Sequence, residues 1–115
     1  MGVPVKEHTE YVRHYVQVHL SEKITVSEIA RGRGLNASYL NTCFCAQTGE
    51  SVSAYIRRVK IAHAEKLLAG TEHSLAEVCA MLGYFDQSHF SRAFKTVTGM
   101  TPGAYRAKKT HRESF

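Results

Sequence analysis

The sequence predicts an all-α protein of about seven helices, with two helix-turn-helix lobes joined by a long helix. Three observations predict it. A unit of about thirty residues occurs twice, about fifty positions apart. Each copy opens on a capping signal, Thr25-x-x-Glu28 or Ser74-x-x-Glu77, ahead of a short apolar-periodic run. Each run then meets a glycine, Gly34 or Gly83, before a second helical stretch begins.

The two copies align residue by residue. Val26-Ser27-Glu28-Ile29-Ala30 stands over Leu75-Ala76-Glu77-Val78-Cys79, and Leu40-Asn41-Thr42-Cys43-Phe44 over Phe90-Ser91-Arg92-Ala93-Phe94. Thr48-Gly49 matches Thr98-Gly99, and Ala54-Tyr55 matches Ala104-Tyr105. Gly34 pairs with Gly83, and the second copy holds one extra residue between that glycine and Phe90.

The first helix is expected from about Lys6 to Leu20, with Val5, Val12, Val16 and Leu20 as its apolar stripe. His8, His14 and His19 lie on it at spacings that miss the three- or four-residue pairing of helix-borne metal ligands, so they read as solvated. Asn36 caps a helix over 37–48 that closes near Gly49. Ser51 opens a long helix to about Ala69, with Gly70 at its end. Val52, Ile56 and Val59, continuing towards Leu67, form one stripe on it, and Ile61, Ala64 and Leu68 form another. Two apolar faces suit a connector that both lobes use. Asp86 caps a helix over 87–98 closing near Gly99, and Thr101-Pro102 starts the last helix with proline in its first turn. From Arg106 to Phe115 there is no apolar period, and Lys108, Lys109 and Arg112 mark a frayed basic tail. The expected division is a first lobe over 6–50, a connecting helix over 51–70, a second lobe over 71–108 and a tail over 109–115.

At 115 residues the chain is one domain by size, or two very small lobes sharing a linker. Fifteen Lys and Arg against ten Asp and Glu leave a net charge of +5, which suits an anionic partner without naming it. No stretch is apolar enough to span a bilayer, no signal-peptide pattern is visible, and Lys6 breaks the myristoylation motif that Met1-Gly2 suggests. A soluble, cytoplasmic protein is the expectation. The three cysteines, Cys43, Cys45 and Cys79, make no disulfide framework, and the favoured reading is buried or idle reduced thiols. No nucleophile–base spacing, Gly-rich phosphate loop or paired carboxylate points to an enzyme, and neither metal nor cofactor is expected.

The run Gly83-Tyr84-Phe85-Asp86-Gln87-Ser88-His89-Phe90-Ser91-Arg92-Ala93-Phe94-Lys95 resembles the signature of AraC/XylS-type transcriptional regulators. Thr98-Gly99-Met100-Thr101-Pro102-Gly103-Ala104-Tyr105-Arg106, the segment Ser27-Glu28-Ile29-Ala30 and the connector Tyr55-Ile56-Arg57-Arg58 extend the likeness from about His8 to Arg106. The resemblance implies homeodomain-like lobes whose recognition helices enter successive major grooves on one face of double-stranded DNA. It further implies activation of transcription through RNA polymerase, with repression by some members. The chain is either a complete small regulator or the C-terminal part of a larger one. As it stands a monomer is expected, with dimerisation left to a domain outside it.

Two helices are expected to read the duplex. On 87–98, Phe90, Phe94 and Val97 point to the core, which leaves Gln87, Ser88, Ser91, Arg92 and Lys95 for DNA. Gln87 suits adenine, Arg92 suits guanine or a phosphate, and the small serines permit close approach. On 37–48 the outer side is Ser38, Asn41, Thr42 and Cys45, with Asn41 suited to adenine and Thr42 to a thymine methyl. The family's usual pattern has basic residues where Thr42 and Cys45 stand, so the second lobe should hold more of the affinity. Arg31, Arg33, Arg57, Arg58 and Lys60 are either phosphate contacts or solubilising charges. The competing reading is a metal- or thiol-responsive interaction module using Cys43 and Cys45, with DNA binding weak or lost.

Overall fold

The structure, a computed structural model, describes residues 5–113. Seven α-helices follow in order: α1 (Val5–Val18), α2 (Val26–Gly32), α3 (Ala37–Thr48), α4 (Val52–Gly70), α5 (Leu75–Met81), α6 (Gln87–Thr98) and α7 (Pro102–Glu113). No strand occurs among the described residues. The chain divides into two compact units, one up to Ile56 and one from Arg57, and the boundary falls inside α4.

The first unit is built on α1 to α3 and the start of α4. Val12 and Val16 are fully buried, as are Ile29, Leu40 and Val52, with Ala30, Cys43, Phe44 and Ile56 nearly so. The helix stops at Val18, and Leu20 lies half-buried in the turn that follows. His8 departs from the expected solvated state. It lies four residues before Val12, on the same helix face, and is buried. Its Nδ1 accepts from Arg33 Nε at 3.1 Å, and the Arg33 guanidinium lies 5.3 Å from the centre of the Tyr11 ring. His14 is exposed, while His19 stacks on Tyr15 and pairs through Nδ1 with Glu22 at 2.7 Å.

The second unit buries the second stripe of α4, Ile61, Ala64 and Leu68, together with Val78, Cys79, Leu82, Phe90, Ala93, Phe94 and Pro102. Val97, expected inside, is 40% exposed. It sits in the last turn of α6, where it lines an open cleft with Glu65, Met100 and Tyr105 instead of meeting the core. Lys60, expected at the surface, is buried: its amine donates to the carbonyl of Leu82, the C-cap of α5, and lies 5.7 Å from the Tyr84 ring centre. A cation there satisfies an orphan carbonyl at the negative end of a helix. Arg106 acts likewise on α4, donating to Leu68 O at 3.1 Å and to Thr71 O at 3.3 Å. The basic segment read as a frayed tail continues α7 as helix through Glu113. Its Lys, Arg and Ala residues are good helix formers, and they outweigh the missing apolar period.

The same local hydrogen bonds appear in both units. Thr25 accepts from Glu28 N at 3.2 Å, and Ser74 from Glu77 N at 3.1 Å with the Glu77 carboxylate returning to Ser74 N. Leu35 N reaches Ala30 O at 2.9 Å, and Tyr84 N reaches Cys79 O at 3.0 Å, the closing bond of a Schellman turn. Positive φ occurs among the described residues at Gly34, Gly49, Gly83 and Gly99, two repeat-related pairs. Thr48 and Thr98 each donate back to a phenylalanine carbonyl, Phe44 or Phe94, at 2.8 Å. Those phenylalanines pack edge-on against Tyr55 and Tyr105, at 5.2 and 5.5 Å between ring centres.

Candidate nucleic-acid interface

Helix α6 is fixed at both ends by its caps. The Asp86 carboxylate accepts from Ser88 N at 2.8 Å, satisfying one orphan donor of the first turn. Gly99 closes the helix with φ of 86°. One face is held by aromatic packing: Phe90 lies 5.2 Å from Tyr84 and 5.9 Å from Phe94, ring centre to ring centre. Burial raises the Tyr84 hydroxyl above its ordinary pKa, against the opposing charge of Arg57. The other face therefore presents Gln87, Ser88, Arg92 and Lys95 as exposed side chains, with Ser91 half-buried beside them. All five residues expected to read DNA in this copy lie on this helix. His89 is exposed too, edge-on to Tyr84 at 5.6 Å.

Helix α3 has the same inward pattern and a different surface. Leu40, Cys43 and Phe44 are buried, and Asn36 caps the helix by accepting from Tyr39 N at 2.7 Å. Ser38 and Thr42 are exposed, with the Thr42 hydroxyl donating to Ser38 O at 2.9 Å. Asn41 is half-buried, and its Oδ1 accepts from Val52 N at 2.9 Å. That oxygen is the atom a bidentate adenine contact would use. The repeat explains the commitment. Val52 opens α4 and has an N–H to satisfy, whereas its counterpart Pro102 opens α7 with none. The residue matching Asn41 is Ser91, which has no such N–H to serve.

Charge separates the two helices further. No charged residue occurs in α3, while α6 holds Arg92 and Lys95. Of the other cations weighed for phosphates, Arg31, Arg57 and Arg58 are exposed. Arg33 is turned towards His8 and Tyr11, and Lys60 is inside the second unit. Sequence reasoning missed the roles of Asn41, Lys60 and Arg106. The available signal for Asn41 was the Val52/Pro102 mismatch in the repeat.

Cys43 and Cys79 are buried, Cys45 is half-exposed, and burial pushes the Cys79 thiol up. Among the described residues no three His, Cys, Asp or Glu side chains gather as metal ligands.

A sequence model described as a helix-turn-helix domain matches residues 29–108. The transcriptional activator RhaR of Yersinia pseudotuberculosis is 31% identical over 106 residues, covering 92% of this chain. The chain belongs to the AraC-type helix-turn-helix family. A further relative of this family member, the transcriptional activator Btr of Bacillus subtilis, is 34% identical over 100 residues and 87% of the chain. The chain spans 37% of the RhaR length and 19% of that of Btr. Among solved structures, the C-terminal domain of AraT, a response regulator from Geobacillus stearothermophilus, superposes with a TM-score of 0.84 at 28% identity. That match covers 88% of this chain and 84% of the other. The DNA-binding domain of AdpA, solved with a target DNA, shares the fold at TM-score 0.84 and 23% identity, over 90% of this chain and 94% of that one. No described helix is long and apolar enough to cross a membrane.

Proposed function

We propose that this AraC-type chain binds double-stranded DNA sequence-specifically and regulates transcription, with α3 and α6 occupying successive major grooves. The observation that carries the reading is the face of α6. A helix pinned by Asp86, Phe90 and Phe94 holds Gln87, Ser88, Ser91, Arg92 and Lys95 outward as one donor-rich surface. Gln87 near the helix start offers an amide to adenine, and Arg92 offers a bidentate fork to guanine. Lys95 neutralises a phosphate. In the first lobe Ser38 and Thr42 make the nearer approach, and Asn41 positions the start of α4. The solved DNA complex of AdpA and the activator names of RhaR and Btr support this reading. By the same likeness the protein activates transcription through RNA polymerase. A single chain presenting two recognition helices reads an asymmetric site and needs no palindrome.

Selection of bound duplexes from a random pool, followed by affinity measurement over a salt series, tests this. The expected result is one enriched asymmetric site with affinity falling steeply as salt rises. No enrichment, or an affinity flat between low and physiological salt, would contradict it.

A further inference from the structure

The repeat holds one extra residue in its second copy, and the hydrogen bonds on either side locate it. Leu35 and Tyr84 are equivalent, because their N–H groups make the same bond to Ala30 O and Cys79 O. Asn36 and Asp86 are equivalent as the caps of α3 and α6. In the first copy Leu35 and Asn36 are neighbours; in the second, Phe85 stands between Tyr84 and Asp86. Phe85 is therefore the inserted residue. It is 87% exposed, the highest value among the large exposed apolar side chains of the described residues.

A bend between two helices is ordinarily filled by Gly, Asn, Asp or Ser, which satisfy the turn without leaving apolar surface in water. A phenylalanine there lies almost wholly outside the core and leaves most of a large apolar ring in solvent. Its position matters for a second reason. It precedes the cap of α6 by one residue, at the helix end from which recognition helices address base edges. In the major groove the apolar feature is the C5-methyl of thymine, and phenylalanine is one of the side chains that meets it.

We infer that Phe85, the residue inserted into the turn before α6, packs on a thymine methyl and sets a thymine preference at the edge of the second half-site. The first lobe, lacking the insertion, has no counterpart to this contact. The inference rests on the DNA-binding reading above and adds a base preference to it.

The test uses the full chain and its selected duplex, with each thymine of the second half-site replaced in turn by deoxyuridine, which differs only in lacking the methyl. Wild type is expected to lose on the order of tenfold at one such position. Phe85→Ala should bind the unmodified duplex on the order of tenfold more weakly and be indifferent to deoxyuridine at that same position. Its thermal unfolding should match wild type, because the ring is outside the core. Three results would overturn the inference: wild-type affinity in Phe85→Ala, an undiminished response of Phe85→Ala to the methyl deletion, or no thymine at which the methyl counts. If wild type enriches no duplex at all, the DNA reading itself falls; if it binds normally while Phe85→Ala changes nothing, only the inference does.

Discussion

Helices α3 and α6 differ where the repeat is free to differ and agree where the backbone constrains it. Both are capped by an Asx side chain, closed by a left-handed glycine, braced by a threonine back-bond, and anchored by a phenylalanine against a tyrosine. Outward, α3 has no charge and α6 has Arg92 and Lys95. The comparison separates two demands on one motif: the buried half must close a turn and fill a core, and the exposed half must meet a partner. Asn41 crosses that division. It lies where the second lobe has an outward serine, yet its amide serves the backbone of α4.

Truncating the shared anchors should give the largest stability effects. Phe44→Ala and Phe94→Ala are each expected to cost about 3–5 kcal/mol in chemical denaturation, because both rings are essentially fully buried. A large cost at one and almost none at the other would break the equivalence of the two lobes. Next comes the asymmetry at Asn41. Asn41→Ala should cost about 1–2 kcal/mol by leaving the Val52 N–H unsatisfied. In a Val52→Pro background that N–H is gone, so the same substitution should cost much less; equal costs in both backgrounds would deny the role assigned to Asn41.

The smallest effect concerns the cap of α5. Hydrogen bonds from the Ser74 backbone and hydroxyl, then from His73, hold the Glu77 carboxyl below its ordinary pKa. A lowered folded-state value means the stabilisation is complete above the unfolded-state pKa and is lost as pH falls through the folded one. The advantage of wild type over Glu77→Gln in thermal melts should therefore be modest near neutrality and vanish in acid. An advantage that persists at strongly acidic pH would show that the ionised cap is not its source.

Much of this architecture was legible in the residues. Capping signals, glycines and the apolar stripes of α4 follow from backbone chemistry and periodicity, and they placed the start of each helix within a few residues, while the end of α7 was missed because its basic stretch has no apolar period. The outward set on α6 followed because Phe90 and Phe94 fix the inward side. What escaped depends on contacts between residues far apart in sequence. Lys60 reaches a carbonyl 22 positions away, Arg33 finds a histidine 25 positions away, and Arg106 caps a helix 38 positions back. A cation in a sequence looks the same whether it faces water, a phosphate or the end of another helix. Val97 shows the converse, since its apolar spacing is right but it lines an open cleft and stays 40% exposed.

The unequal surfaces of α3 and α6 are tested most directly by affinity on the selected duplex for two paired variants, Arg92→Ala/Lys95→Ala and Ser38→Ala/Thr42→Ala. The first pair is expected to lose on the order of a hundredfold and to lower the salt slope by about one, through Lys95, the second to lose less than about tenfold with the slope unchanged. A greater loss from the Ser38/Thr42 pair, or an unchanged salt slope in the Arg92/Lys95 pair, would contradict a second lobe that grips the duplex harder.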